Sequence, residues 1–427
     1  MENYSIVLLI MGLMIGLSAV ANRIKIPYPI LLVSAGIAIG FIPGMPEIAI
    51  NPEVVFLLFL PPLLYDAAFN ISIKQLRSNL ATVATLAIPL VFLTTSAVAV
   101  VIHFLIPEMT WPLSFVLGAI LSPPDAVAAT GVTKGLGLSH RTLTILEGES
   151  LVNDASGLIA YRFAVAAIAG VGVGIWNMYL QFILVVAGGV FVGIVVGVIL
   201  ATFLRQIYGN SLIAISAMAL APFISYLLAE EFHVSGVLAV VVLGITLARY
   251  TNKLFPSQTK IQNKSFWDVI IFLLNGLVFI LIGLEFPQVV NSISHQEILP
   301  LIGYSFLISF IMLVIRMVWM FGHSNNLRKA TIQKKENPGK FRFSFYADEN
   351  IDWKNSLIIG WSGMRGIVSL ASALALPLTL SSGEAFPQRD VLIFMSVIVV
   401  LITLLVQGLS LPLLVRVLKV DEMKTAK

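Results

Sequence analysis

The sequence predicts an all-α membrane protein that crosses the bilayer many times. Of its 427 residues, 58% are hydrophobic and only 11% are charged, and the mean hydropathy is +0.96. Soluble domains do not have this composition. Apolar stretches of about 20 residues, the length that spans a bilayer, recur along the whole chain with short polar breaks between them. They are continuous rather than alternating, which argues against a membrane β-barrel.

These stretches predict about thirteen spans. The first one follows an acidic residue and lacks a basic leader and a cleavage site, so we expect a span and not a signal peptide. The chain has no cysteine, which excludes disulfides and thiolate metal sites. The predicted spans lie near residues 4–21, 29–43, 52–70, 79–105, 113–132, 141–169, 175–203, 211–229, 234–248, 265–283, 298–320, 355–378 and 388–418.

The distribution of basic residues predicts the orientation of the chain. With the N-terminus outside, all but three of the 26 Lys and Arg residues fall on the cytoplasmic side, where such residues are retained. The exceptions are Arg389 outside and Arg162 and Arg365 within spans. We therefore expect a multi-pass cell-membrane protein with a polar cytoplasmic loop at 322–354 and a cytoplasmic tail at 419–427. The net charge of +4 follows from this topology and does not call for a nucleic-acid partner.

Two pairs of segments indicate an inverted repeat. Residues 54–71 resemble 269–286 in spans three and ten, and helix breakers coincide with charges at 121–127 and 360–366 in spans five and twelve. In each pair the two segments are seven spans apart. Because seven is odd, they cross the membrane in opposite directions. Spans 1–6 and 8–13 are then inverted six-helix repeats with span seven as linker. Discontinuous helices that cross in matching positions are typical of a transporter's binding site near the bilayer midplane.

In span five, two prolines precede an acid. Pro123 and Pro124 have no backbone N–H, which leaves carbonyl oxygens free beside the Asp125 carboxylate. Hard cations prefer such oxygen ligands. Taken alone, the pattern is equally consistent with a simple proline kink in which Asp125 caps the second half-helix.

Span six carries charged and amide side chains deep in an apolar helix, within the sequence GESLVNDASGLIAYR at 148–162. Asp154 lies about 13 residues from the cytoplasmic end, roughly 20 Å deep. A carboxylate at that depth must be protonated, paired or bound to a cation. Ser150 shares its helical face, and Glu149 and Asn153 form a second pair four residues apart on the adjacent face. Proton and cation are therefore alternative occupants of one site.

Arg365 is a predicted partner for one of these acids. It lies about 15 Å into span twelve and Glu149 about 12 Å into span six, both measured from the cytoplasm. We therefore predict a structural Glu149–Arg365 ion pair, which leaves Asp154 and Asp125 for an ion. The alternative is a static network of all these charges, which would not need broken helices.

Four motifs together resemble the monovalent cation/proton antiporters of the bacterial sodium/proton exchanger family, which is related to animal sodium/hydrogen exchangers. They are LPPLLYDAAFN, GAILSPPDAVAAT, LEGESLVNDASGLIAYRFAVA and GWSGMRGIVSLASALALP. Their order matches that of the family, and the resemblance extends from about residue 1 to 418.

The resemblance implies a role for each site residue. Asp154 is the carboxylate that carries Na⁺ or H⁺, and Ser150 and Asp125 contribute further ligands to the Na⁺. Pro124 stands where relatives often have a hydroxyl residue, so only its carbonyl can coordinate. This departure weakens any choice among Na⁺, Li⁺ and K⁺.

The resemblance also implies how the protein works. Asn153 joins the Glu149–Arg365 bridge, and an Asn-Asp pair is typical of electroneutral, one-for-one exchange. The family forms homodimers, in which a mobile core around spans 5, 6, 12 and 13 of the 1–418 transmembrane domain moves in an elevator-like manner. No cofactor is expected besides the transported Na⁺ and H⁺.

Other functional classes fit less well. A K⁺/H⁺ antiporter differs only in its ion and stays open. A cation channel usually builds its filter from re-entrant loops in symmetric oligomers, not from inverted repeats with single buried acids. An intramembrane hydrolase would need a nucleophile motif and a base, and the sequence contains neither GxSxG nor HExxH. We therefore expect a transporter and not an enzyme.

Overall fold

The structure, a computed structural model, is built from α-helices. It describes residues 2–24, 28–42, 52–125, 129, 138–168, 175–207, 210–336, 352–380 and 383–419. Within these ranges the one β feature is an isolated bridge between Thr379 and Ala385. This agrees with the predicted all-helical class.

The helices are numbered in chain order. Their bounds are α1 Glu2–Ile24, α2 Tyr28–Gly40, α3 Pro52–Asn70, α4 Ile73–Ser78, α5 Leu80–Ala87, α6 Pro89–Leu105, α7 Trp111–Leu121, α8 His140–Ile168, α9 Ile175–Gln206, α10 Ser211–Glu231, α11 Gly236–Leu254, α12 Ser257–Ser292, α13 His295–Glu336, α14 Trp353–Trp361, α15 Ile367–Leu374, α16 Arg389–Thr403 and, after a π-helical turn at Leu404–Gly408, α17 Leu409–Val417.

Helices overlie each of the thirteen predicted spans. Span four is divided between α5 and α6 because Pro89 opens the second helix, and span twelve is divided between α14 and α15. The second half of span five, apart from Ala129, lies outside the described residues. Seven described helical stretches are long and apolar enough to cross a membrane, if α5 is joined to α6 and α16 to α17. The number of crossings and the inverted repeat stay predictions.

Helix α13 differs from its predicted span. It runs for 42 residues to Glu336, so the first half of the expected loop at 322–354 is helical. The physical reason is that residues 323–336 contain no proline or glycine and several strong helix formers. Residues 337–351 lie outside the described residues.

The chain divides into two compact units. The first contains Met1–Ile48, Ser72–Ile168 and Phe279–Lys427, and its helices α5, α6, α8, α13 and α14 share an apolar core. The buried members of that core are Leu86, Leu90, Ile145, Leu146, Met320, Leu327 and Ile359. All the predicted site residues belong to this unit.

The second unit contains Ala49–Ile71 and Ala169–Val278. Helix α11 begins at an N-cap serine, Ser235, whose hydroxyl accepts from Leu238 N. The Ser235 N–H donates to Val185 O on α9 at 3.1 Å. The rings of Tyr65 and Trp267 lie 4.8 Å apart, which joins α3 to the start of α12.

Helix α8 packs closely against the prolines that end α7. A Cβ added at Gly157 would collide with the ring of Pro123, and it would also lie 3.4 Å from Ala119 O. Only glycine lets α8 approach this closely. The approach brings the acidic stretch of α8 beside the Pro123–Asp125 segment.

We predict that Gly157→Ala lowers the thermal stability of the purified protein, because the new methyl group forces α8 away from Pro123. Gly303→Ala is the matched control. Gly303 also lies inside a helix, but a Cβ there would meet nothing within 4 Å, so alanine should be neutral or stabilise by up to about 1 kcal/mol. Melting curves in detergent measure both. Equal melting temperatures for the two variants would refute the tight contact.

Candidate functional site

The predicted breaks in spans five and twelve are both present. Helix α7 ends at Leu121, and Ser122 N makes its last bond to Gly118 O at 2.9 Å. The two prolines that follow cannot donate to the next carbonyls, so the helix stops there. Helix α14 ends at Trp361, and α15 begins only at Ile367. We call the residues between them, 362–366, the broken segment.

The two breaks lie against each other. Asp125 N donates to Met364 O at 2.7 Å, and the Asp125 carboxylate accepts from Ile367 N at 3.1 Å. A carboxylate at this position satisfies one of the free N–H groups at the start of α15 and complements the helix dipole. No side chain fits at Gly366, because a Cβ there would overlap this carboxylate.

Arg365 has the complementary role at the end of α7. Its Nε donates to Leu121 O at 2.7 Å, and its Nη1 donates to Gly363 O. The side chain is buried, and its Nη2 contacts Met312 Sδ at 3.3 Å. A positive charge at a helix C-terminus is favourable. Each broken span therefore supplies the charge that the half-helix of the other span requires.

Glu149 forms its ion pair with Arg316, and the predicted pair with Arg365 is wrong. Arg316 on α13 binds both Glu149 oxygens, Nη1 to Oε1 and Nη2 to Oε2 at 2.8 Å. Arg316 Nε and Nη2 also donate to Ile359 O in the last turn of α14, at 3.2 and 3.1 Å. The side chains of Arg316 and Glu149 are 4% and 1% exposed, so the pair is a buried junction of three helices.

The sequence contained a signal for Arg316 that the basic-residue distribution obscured. Arg316 is one of the basic residues that the orientation prediction places on the cytoplasmic side, because it lies near the end of span eleven. Its neighbours are apolar on both sides, from Ile311 to Phe321 apart from Arg316 itself. An arginine inside such a run requires a buried partner.

Asn153 also differs from its expected role. It does not join the ion pair but donates from Nδ2 to Pro124 O at 3.3 Å, which links α8 to the break of span five. Its Oδ1 is buried, and it has no hydrogen-bond partner within the described residues. The residue that precedes Asp154 therefore has one acceptor oxygen without a partner among the described residues.

Asp154 lies in a buried position on α8 and is 8% exposed. In the part of the chain that the structure describes, its carboxylate makes no hydrogen bond and no ion pair. Ser150, one turn earlier on the same helix, is half-buried. Asp154 is thus the acid whose charge the surrounding described residues do not compensate.

The far end of α15 is also held by polar side chains. Tyr161 on α8 donates its hydroxyl to Ala375 O at 3.2 Å. Arg389 donates to Leu376 O at 3.2 Å and lies 3.7 Å from the carboxylate of Glu285. These contacts satisfy carbonyls at the C-terminus of α15, so both of its ends are fixed.

The sequence matches a known protein family over nearly its whole length. The sodium/hydrogen exchanger transmembrane family matches residues 6–417. The chain belongs to this family. The resemblance inferred from the four sequence motifs is therefore confirmed, and the relatives are transporters rather than enzymes.

Individual relatives agree with this assignment. The chain is 35% identical over 425 residues to the sodium, potassium, lithium and rubidium/H⁺ antiporter of Bacillus pumilus, a match that covers 97% of this chain and 61% of that protein. It is 30% identical to the Na⁺/H⁺ antiporter ApNhaP of Aphanothece halophytica, covering 96% of this chain and 74% of that one. The chain thus spans less than two thirds of the Bacillus antiporter.

A solved structure has the same fold. The sodium/proton antiporter MjNhaP1 of Methanocaldococcus jannaschii at pH 8 matches with a TM-score of 0.72, covering 98% of this chain and 99% of that one at 19% identity. At this identity the likeness concerns the fold. It confirms an all-helical fold of the MjNhaP1 type.

We predict a strong energetic coupling between Glu149 and Arg316. Glu149→Gln or Arg316→Met alone leaves a charge stranded in the interior, at a cost on the order of 3–5 kcal/mol. The double variant removes both charges and should recover much of the lost stability. Thermal unfolding of the four proteins in detergent gives the coupling.

The matched control is the cycle of Glu149→Gln with Arg365→Met. Arg365 donates to Leu121 O and Gly363 O instead of to Glu149, so this cycle should show the smaller coupling. A larger coupling to Arg365 than to Arg316 would contradict the observed pairing.

Proposed function

We propose that the protein is a secondary antiporter that exchanges Na⁺, or Li⁺, for H⁺ across the membrane, with Asp154 as the group that binds either ion. Exchange is electroneutral, one cation for one proton, and proceeds by alternating access. The observation that carries this proposal is the charge arrangement around Asp154. Glu149 is neutralised by Arg316 and Asp125 caps α15, whereas the buried Asp154 has no ion-pair partner among the described residues.

Burial makes the two ionic occupants of Asp154 mutually exclusive. A bare carboxylate in a low-dielectric site is strongly disfavoured, so it holds either a proton or a cation. Release of one favours binding of the other. This coupling gives antiport without any further device, because an empty, charged carrier is the high-energy state.

Oxygen ligands for the cation are available on α8 and at the break of span five. Ser150 lies one turn before Asp154 on α8, and the Asn153 Oδ1 beside it is unpartnered. Pro124 O accepts from Asn153 and keeps a second lone pair. With Asp125, these groups form the set of hard ligands that Na⁺ and Li⁺ prefer.

A K⁺/H⁺ antiporter is the second candidate. The observation that favours it is the relative from Bacillus pumilus, whose name includes sodium, potassium, lithium and rubidium. Proline in place of a hydroxyl residue at position 124 also removes a ligand that would tighten the site around a small ion. Proton flux measured across a panel of chloride salts separates the two candidates.

The assembly and the orientation complete the proposal. The basic residues favour an outside N-terminus and a cytoplasmic C-terminus in the plasma membrane. We also propose a homodimer in which the core around spans 5, 6, 12 and 13 moves as an elevator against the rest. In the first unit, buried contacts join α7, α8, α14 and α15 of this core to α13 of span eleven, which supports movement of α13 together with the core as one body.

We predict that Asp154→Asn abolishes exchange while the protein still folds and inserts, because asparagine keeps the shape and loses the switchable charge. Sodium-driven proton movement is followed with a pH-sensitive dye in everted vesicles. Glu147→Gln on the same helix is the control, since Glu147 is exposed and should transport normally. Wild-type exchange by a well-expressed Asp154→Asn protein would exclude Asp154 as the carrier.

We also predict competition between protons and sodium. Because both bind one carboxylate, the apparent KM for Na⁺ should rise as the pH falls, approaching about tenfold per pH unit on the acid side. Initial rates in proteoliposomes over a range of Na⁺ concentrations and pH values measure this. An apparent KM that stays constant while only the maximal rate changes would instead require a separate pH sensor.

A further inference from the structure

The π-helical turn in the last span lies beside the broken segment. Leu404–Gly408 interrupts the α-helical bonding between α16 and α17. Such turns insert an extra residue, and they occur frequently at functional sites. Leu405 and Val406 are exposed at 42% and 51%, whereas Gln407 is 3% exposed. The one polar side chain of the turn therefore points inward.

Three contacts place the turn and the residues on either side of it against the broken segment and the end of α14. Thr403 Oγ1 accepts from Arg365 N at 3.1 Å. A Cβ on Gly408 would lie 3.3 Å from Met364 Sδ. One turn later, Ser410 Oγ accepts from Trp361 Nε1 at 2.8 Å. Gln407 is buried and lies four residues after Thr403 and three before Ser410, a spacing that places the three residues on one face of the helix.

Gln407 has an unused acceptor, and the broken segment has unused donors. Gln407 Oε1 is buried without a hydrogen-bond partner among the described residues. Among the hydrogen bonds of the described residues, none is donated by the backbone N–H of Gly363, Met364 or Gly366. A buried acceptor without a partner destabilises the protein by about 1–3 kcal/mol. Leucine or methionine would fill the space without that cost, so the amide calls for a reason other than packing.

We propose that Gln407 is a positioning residue for ion exchange. Its side-chain oxygen accepts a hydrogen bond from a backbone N–H of the broken segment at the step where that segment rearranges. The bond stabilises the rearranged segment, and with it the Met364 carbonyl that holds Asp125. Gln407 itself does not touch the cation, since the guanidinium of Arg365 belongs to the same region. This inference rests on the proposed exchange activity.

Replacing Gln407 should affect stability and transport differently. Gln407→Leu removes an acceptor that is unpaired in this state, so the melting temperature should be unchanged or higher. The same variant loses the hydrogen bond of the rearranged state, so the maximal exchange rate should fall about three- to tenfold, the effect of one such bond. The apparent KM for Na⁺ should change little, because the ligands are intact.

Two further variants complete the experiment. Gln407→Glu keeps the acceptor at the same reach and should exchange faster than Gln407→Leu. Asn275→Leu is the matched control, because Asn275 is another buried amide whose oxygen has no partner among the described residues, and it belongs to the second unit of the chain. It should leave the maximal rate unchanged.

Exchange rates are measured in proteoliposomes and melting temperatures in detergent. Wild-type rates for Gln407→Leu, in a preparation where the wild-type protein exchanges Na⁺ for H⁺, would overturn the inference and leave the proposed function intact. A wild-type protein without exchange would instead refute the proposed function. A Gln407→Leu protein that melts several degrees lower would show that the amide serves only the static fold, and equal rates for Gln407→Leu and Gln407→Glu would exclude the acceptor role.

Discussion

The structure depends on one contact between two interrupted helices. Each of them supplies the charged side chain that caps a half-helix of the other. Each half-helix that ends inside a membrane protein leaves backbone groups that neither lipid nor its own helix can satisfy. Asp125 from one break binds Ile367 N at the start of α15, and Arg365 from the other break binds Leu121 O at the end of α7. The carboxylate lies at the positive end of a dipole and the guanidinium at the negative end. Neither break would be stable without the other, and this explains why the helix breakers occur in both segments.

Among the described residues, the other charged side chains near the breaks are paired, except for the carboxylate of Asp154, which is left to bind a proton or a cation. Arg316 neutralises Glu149 and at the same time binds the last turn of α14 through Ile359 O. Asn153 binds Pro124 O and so holds α8 against the first break. These two contacts and the two caps hold the helices around the breaks together. Asp154 is the carboxylate that makes no such contact among the described residues. A fixed environment of this kind is what a site needs if proton and cation are to alternate on one group.

The sequence predicted the breaks and the acids because both violate local rules for apolar helices. Pro123, Pro124 and the glycines around Arg365 stop helices at membrane depth, and Asp154 stands out against its apolar neighbours. The sequence did not predict the partner of Glu149, because depth along a span fixes one coordinate and says nothing about which helices are neighbours. The end of α13 was missed for a related reason: polar composition predicts exposure to water, whereas helix propensity continues to Glu336.

The network of buried contacts also restricts how access to Asp154 can change. Any displacement of α14 along α8 would separate Arg316 from Glu149 or from Ile359 O, and a stranded buried charge costs on the order of 3–5 kcal/mol. A displacement of α15 relative to α7 would uncap both half-helices at once. The proposed exchange requires such a motion in every transport cycle, and neither cost is compatible with it, so the proposed motion keeps α7, α8, α13, α14 and α15 together. Small rearrangements within the broken segment, which has backbone N–H groups to spare, then accompany that motion without breaking an ion pair.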